Sequence, residues 1–597
     1  MCVNLMNWAC ASILIYVYGR TAMLLLRKGK GGLSDCAAAG VAAAAVFAEC
    51  WSLFRPVNSG AFPVFALTGA VLLAVLVLRR ELFAGRLQFS AADIIPAVLI
   101  GSYFLAVSAL WPSSYDDYLY HAQALRWTEE YGAVRGLGNL HCRLAYNSAF
   151  LSLQALFSWR DAAFPGKGAG ISLHTMNGLL AAALGIYSLV PLVRELRSRF
   201  AGKGPGLAAC ALFTRIAALI YLFGNTQAFT GLDTDPMALI GILFVFIRLS
   251  DALSEESPFT ENLAFLSVFA AFLCTVKLSA AALLFLCAWP AAVYLREKRF
   301  RTVLFFLALA AAVTLPFFAR GVLLSGYLVY PYTGIDLFNP DWKMSAGTAL
   351  LDREGIILWG RGLYGEISEG RMTWPEAVSL PFARWFPIWY RGISTTAKAL
   401  MLLCAASLAW TLTEMAGGAA VRHSGSRNSG SAARQDPRIE PGCAHRDGRK
   451  DFLYAAAVLC LAFWLVSAPL ERYGSVFLLI VLSQVPAGGK PGRFILSLNA
   501  LILAGLLAVR IASPLNYHGI AVNWRQCAVT PLDYAETGMR EAEIAGPSGD
   551  NADLKVYVPE SGDRSDYLHF PAAVSEEELG RVMLRGNSFA DGFKLRP

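Results

Sequence analysis

The chain has 597 residues, of which 56% are hydrophobic and 16% charged, with a mean hydropathy of +0.48 and a formal charge of +8. Soluble domains carry about 25% charged residues, so a water-soluble fold is excluded. The positive balance does not single out nucleic acid as a partner, because Lys and Arg gathered in the cytoplasmic loops of a membrane protein give the same excess.

In chain order, apolar runs close to the roughly 20 residues that cross a bilayer fall near 5–26, 34–53, 62–78, 93–111, 171–193, 207–223, 235–249 and 262–276. Six more fall near 278–295, 302–319, 396–414, 451–467, 474–487 and 494–512. Only helices and closed barrels satisfy their backbone groups in lipid, and Ala- and Leu-rich runs select helices. The expected fold is an all-α polytopic transmembrane helix bundle of about 14 spans. The first run has no basic residue before it and Arg27, Lys28 and Lys30 after it, the reverse of a secretory signal, so it is expected to stay as a helix. The apolar stretch 262–295 is too long for one helix and carries Lys277 near its middle, which predicts two short helices meeting there.

With the N-terminus outside, the segments 27–32, 79–86, 194–206, 250–261, 296–301, 415–450 and 488–493 are cytoplasmic and hold 23 Lys and Arg. The short loops on the other side hold three: Arg55, Lys277 and Arg472. That bias fixes the orientation. Three larger pieces then lie outside: 112–170, 320–395 and the tail 513–597, the last read as a small α/β cap. The cytoplasmic stretch 415–450, rich in Gly, Ser and Arg, reads as a disordered basic linker. Among the cysteines, Cys10, Cys36, Cys50, Cys210, Cys274, Cys287, Cys404 and Cys460 fall in apolar runs and act as small hydrophobes. Cys142 and Cys527 both fall outside, either paired or as two free thiols.

The first outside loop opens directly after a span with Trp111-Pro112-Ser113-Ser114-Tyr115-Asp116-Asp117-Tyr118-Leu119-Tyr120-His121. Ser114 and Asp117 have the spacing of a capping box for a helix running to about Tyr131, so both acids could serve only to stabilise a helix start. On such a helix Asp117, Tyr120 and His121 share a face, the setting a general base needs. Later in the loop His141, Arg143 and Asn147 are candidates for holding a phosphate or sugar hydroxyls, or are ordinary loop polarity. Asp233 and Asp235 form a second acidic pair that either converges on the first or caps the next helix. Lys277 and Arg472 are the lone basic residues of two short outside turns and are candidate binders of a lipid phosphate, against simple snorkelling to the interface. A divalent cation on Asp116 and Asp235 is an open alternative, and no cysteine or histidine spacing of a metal site appears. Loop 320–395 holds 13 aromatics in 76 residues, read mostly as an interfacial belt rather than as sugar-stacking rings. No Gly-rich phosphate loop is present, so a lipid-carried donor fits better than a soluble nucleotide donor.

Many spans, an acidic pair opening the first large outside loop, and a basic residue near a late span together resemble the GT-C superfamily of polyprenyl-phosphate-sugar-dependent membrane glycosyltransferases. More narrowly, Tyr115 to His121, Asn139-Leu140-His141, Gly326 to Pro331, Asp341-Trp342-Lys343 and the ending Leu584 to Asn587 with Asp591 to Phe593 resemble a group of uncharacterised bacterial polytopic membrane proteins. The resemblance runs from about 93 to the end. It implies a three-helix extension over 1–92, a GT-C-like core over 93–512 and the cap over 513–597. It also implies an inverting glycosyltransferase in the bacterial cytoplasmic membrane, active on its outer face. That enzyme would pass a sugar from a polyprenyl-phosphate donor to an envelope glycan, lipid or protein acceptor, with a first-loop carboxylate as base. Adjacent residues seldom point the same way, so the base role falls on Asp117, aligned with His121, and Asp116 is left to acceptor or metal binding. The alternative class is a non-catalytic component of polysaccharide or lipid-carrier transport. A transporter would place charges in the middle of many spans, whereas here most lie at span ends.

Overall fold

The structure is a computed structural model that describes the chain except for residues 27–30, 59, 84–89, 161–171, 204–205, 254–258, 428–447, 486–488, 514–519 and 521–522. Arg27, Lys28, Lys30 and most of the basic linker therefore lie outside the described residues, although the helix from Thr395 continues to Arg427. Every one of the fourteen predicted runs falls on a helix. Among the described residues, nine helices are long and apolar enough to cross a membrane, and Ala91–Val107, Ala209–Gly224 and Ser497–Ala512 are apolar but shorter. Thr234–Ala252 carries Asp235, Arg248 and Asp251, and Glu471–Ser483 has 13 residues. Against the expected 14 or so spans, length and composition support nine among the described residues.

The long stretch around Lys277 divides as anticipated. A helix ends at Val276, Lys277 is extended (φ −155°, ψ 133°), and the chain resumes as a 3₁₀ helix, Leu278–Cys287, followed by an α-helix, Ala288–Arg296.

Cross-helix polar contacts gather at two opposite ends of the helices. At one end Arg20 meets Glu81 (2.9 Å), Arg248 meets Asp35 (2.9 Å), Arg194 meets Asp93 (2.7 Å), and Arg215 meets Asp251 (2.8 Å). The Arg248–Asp35 and Arg215–Asp251 pairs are largely buried on both sides, and removing one partner from such a pair costs about 3–5 kcal/mol, so they hold their helix ends together. At the other end the Met1 ammonium donates to the Cys527 carbonyl (2.6 Å), and Arg320 donates to Ser52 and Asn147. Each pair joins ends that the charge bias assigns to the same side. We expect reporter fusions after residues 30, 84, 200, 300 and 430 to read cytoplasmic, and fusions after 150, 360 and 560 to read outside. A cytoplasmic signal at 150 would put the acidic pair on the wrong face.

Helices Cys2–Leu25 and Leu33–Ser52 cross at glycines. A Cβ on Gly19 would lie 1.7 Å from the Cys36 carbonyl oxygen and one on Gly40 1.8 Å from that of Ile15, so the backbones touch as small-residue membrane helices do. Through Asp35–Arg248 and the Ser52 contact to Arg320, the first helices pack into the body of the bundle rather than beside it.

The tail forms the expected α/β piece. Four strands, β1 (Met539–Ala545), β2 (Asn551–Pro559), β3 (Val582–Leu584) and β4 (Phe593–Leu595), lie in the order β2-β1-β3-β4, with β1–β2 and β3–β4 antiparallel and β1–β3 parallel. The cap is tied to the first loop: Ser565 N–H donates to the Tyr118 carbonyl (2.7 Å), Gln123 to that of Asp566 (2.6 Å) and Arg126 to that of Tyr567 (2.6 Å). Trp127, fully buried, is enclosed by Phe570, Phe589 and Phe593. Cys142 and Cys527 are both free thiols.

Candidate functional site

The two adjacent acids diverge. Asp117–His121 is a π turn that leads into the α-helix Ala122–Glu130, in place of the single capped helix expected. Ser114 contributes its carbonyl to the Asp117 N–H (3.2 Å), but the Asp117 side chain does not return to cap it. Instead both Asp117 oxygens accept the Leu232 N–H (3.1 Å each), and Oδ1 faces His121 Nδ1 at 3.2 Å. The contact is made possible by Gly231, where a Cβ would stand 1.9 Å from Asp117 Oδ2. Asp117 is wholly buried, and burial raises its carboxyl above the usual range against the opposing pull of His121. Its place is that of a staple between the first loop and the 231–235 loop.

Asp116 points the other way, into a cluster drawn from four distant parts of the chain. Arg472 donates to Asp116 Oδ2 (2.9 Å) and lies 3.3 Å from Asp235 Oδ2, while Lys277 forms an ion pair with Asp235 Oδ1. Neither Asp235 oxygen accepts a well-aligned hydrogen bond, so both are held by charge alone. The Tyr473 hydroxyl is shared by Arg472 (2.8 Å) and Lys277 (3.2 Å). Asp233 caps the helix that begins at Thr234 by accepting the Asp235 N–H (3.1 Å), and Asn177 donates to the carbonyls of Gly231 (2.9 Å) and Asp233 (2.8 Å), which fixes that loop. The helix start expected at Asp233-Thr234-Asp235 is therefore present, and Asp235 is also drawn into the cluster.

Burial alone would push the Asp116 carboxyl up, but His121, Arg472 and Lys277 outweigh it and hold the group below the usual carboxylate range. It is ionised at neutral pH. Burial lowers the Lys277 ammonium to about 8, against the raising effect of Asp233 and Asp116. The cluster is reachable: the side chains of Asp116, Lys277 and Arg472 are 20%, 25% and 45% exposed.

The remaining predicted residues separate into two groups. Tyr120 lies tilted against His121 (4.2 Å between ring centroids) and meets Tyr146 edge-on (5.6 Å), within electrostatic reach of Asp116, Arg472 and Arg143. Arg143 is half-buried, and among the described residues no hydrogen bond or ion pair engages its guanidinium. His141 is buried, accepts the Arg143 N–H on Nδ1 (3.1 Å) and is lowered by burial to about 3, so it stays neutral and brings no charge to a phosphate. Asn147 donates to the Phe317 carbonyl (2.7 Å) and accepts from Arg320 (3.0 Å), which makes it a tie to the helix Phe300–Ser325 rather than a ligand group. Among the described residues no group of three or more His, Cys, Asp or Glu could hold a metal ion by itself.

Tyr473 and Asp352 belong to this region and carried no sequence signal beyond their residue type, while Tyr330 lay in the Gly326 to Pro331 run among the loop aromatics read mostly as an interfacial belt. Tyr473 stands beside Arg472, so a pairing of lone cations with an adjacent phenol would have found it. Asp352 lies on the helix Ala346–Gly360, whose pattern gives no hint that it faces the first loop.

The bundle of apolar helices, the C-terminal cap and the four-segment polar cluster describe a mostly helical, membrane-like protein with a candidate site where the first loop leaves the helices. The model of the family described as Domain of unknown function (DUF8201) matches residues 1–479, and the chain belongs to that family. The match takes in the first three helices. No curated protein and no solved structure matches the chain.

Proposed function

We propose that this protein is an inverting, GT-C-type glycosyltransferase of the bacterial cytoplasmic membrane. It takes a sugar from a polyprenyl-phosphate donor and transfers it to an envelope glycan, lipid or protein acceptor on the outer face. The observation that carries this reading is the meeting of Asp116, Asp235, Lys277 and Arg472, far apart in sequence, in one partly exposed cluster where the first outside loop leaves the helices. In the reaction the Asp116 carboxylate accepts the proton of the acceptor hydroxyl. The acceptor oxygen forms its bond to the anomeric carbon while the bond from that carbon to the phosphate oxygen breaks, and the lipid phosphate leaves with the electron pair. Attack opposite the leaving group inverts the anomeric configuration. Lys277 and Arg472 receive the phosphate charge, and an incoming phosphate competes with Asp116 for Arg472, so donor binding itself frees the base.

Asp116, Asp233 and Asp235 outnumber the two cations, so an anionic headgroup needs a further positive charge. Asp235 or Asp116 would hold a divalent ion there, and its charge would offset that of the donor phosphate. Comparing envelope glycans and lipid-linked intermediates of a deletion strain with the wild type tests the reading directly. Complementation with Arg472→Gln is expected to leave the lipid-linked sugar accumulated and the glycan short. Unchanged glycans in the deletion strain end the enzyme hypothesis, whereas changed glycans there with full product from both Asp116→Asn and Asp117→Asn move the transport alternative to the front.

A further inference from the structure

A second group of polar side chains meets Tyr120 through Tyr146, whose ring lies edge-on 5.6 Å away. Tyr146 donates its hydroxyl to Asp352 Oδ1 (2.7 Å), leaving Oδ2 without a hydrogen-bond partner. The Tyr330 hydroxyl, on a side chain only 6% exposed, faces the same carboxylate but forms no hydrogen bond of acceptable geometry. The Tyr146 and Tyr330 rings are 5.8 Å apart, and Arg143 lies within electrostatic reach of Asp352 without pairing to it. A buried hydroxyl and a carboxylate oxygen without partners are expensive, and a native structure keeps them where a ligand or water completes them.

We propose that Arg143, Asp352, Tyr146 and Tyr330 form a subsite for a neutral hexose ring. The charges decide the class of occupant. Asp352 repels a phosphate or carboxylate ligand, and Arg143 repels an amine. A ring bearing neighbouring hydroxyls offers donors to Asp352 and acceptors to Arg143 and Tyr330, and its C–H face packs on tyrosine. Tyr120 joins this subsite to the Asp116 cluster, being within electrostatic reach of Asp116 and Arg472 as well as Arg143. Only the identity of the sugar as donor or acceptor residue rests on the glycosyl-transfer reading; the sugar-binding property does not.

The test uses the full chain purified in detergent, with D-glucose, D-galactose, D-mannose and N-acetyl-D-glucosamine as probes in saturation-transfer NMR. At least one sugar is expected to receive saturation. Asp352→Asn and Arg143→Gln should weaken it by roughly tenfold, the size of a lost hydrogen bond to a charged group. Tyr330→Phe removes only the unpartnered hydroxyl, so it should weaken sugar binding by roughly threefold while the thermal midpoint stays at the wild-type value. Absence of transfer to all four sugars overturns the proposal, as does transfer that survives all three variants. If inorganic phosphate displaces the sugar at low concentration, the occupant is an anion and the proposal also fails. The two readings fail separately: sugar binding lost in Asp352→Asn with normal glycans in Asp116→Asn removes the enzyme and keeps the subsite. The opposite pattern removes the subsite and keeps the enzyme.

Discussion

Asp116→Asn is expected to lower glycan product by about a hundredfold or more at unchanged abundance in the membrane, because the amide keeps the size of the carboxylate and cannot accept a proton. The structural cost of this change is small. Arg472 loses one partner, but its half-exposed guanidinium remains hydrated and still faces Asp235, and an exposed pair of this kind contributes about 1 kcal/mol or less. A blot of the membrane fraction should therefore show wild-type protein before any glycan is measured. Product at the wild-type level from this variant would remove Asp116 from the chemistry.

Asp117→Leu should behave in the opposite way, one residue later. The substitution leaves the Leu232 N–H without its acceptor and His121 Nδ1 without its partner in a fully buried place, which costs about 2–4 kcal/mol by the usual price of unsatisfied buried groups. The measurement is the thermal midpoint in detergent together with membrane abundance, and both should fall. Asp117→Asn keeps an oxygen for Leu232 and should fall less, with activity following the amount of folded protein. A wild-type midpoint for Asp117→Leu would show that the carboxylate is no staple. A large loss of activity in Asp117→Asn at full abundance would return the base role to it.

The contrast marks how far the sequence could be read. The helices were legible because bilayer-crossing runs are long, apolar and punctuated by basic loops, and the lone charges Lys277 and Arg472 were conspicuous against apolar surroundings. The separation of Asp116 from Asp117 was not legible. It depends on a π turn and on the approach of Gly231, 114 residues further along, neither of which leaves a periodic trace. His141, Arg143 and Asn147 looked equivalent in a polar run. Their different fates follow from distant partners: Arg320 takes Asn147, burial neutralises His141, and Arg143 alone keeps a free guanidinium beside Asp352. The cap over 513–597 was read from short β-prone pieces, but its attachment through Gln123, Arg126 and Trp127 needed the fold.

The π turn has one more implication. A ring closed by five residues instead of four carries one residue more than ordinary helix, and each residue of an α-helix rotates the chain by about 100°. The π turn spends that extra residue on about the same rotation, so deleting one residue from Tyr118 to Tyr120 and relaxing the segment into regular helix would leave Asp116 on nearly its present heading. The same deletion inside Ala122–Glu130 would swing everything before it by about 100°, and Asp116 would leave Arg472 although no side chain of the cluster had been altered. The first loop therefore tolerates a change of length at its π turn that the helix beyond it does not.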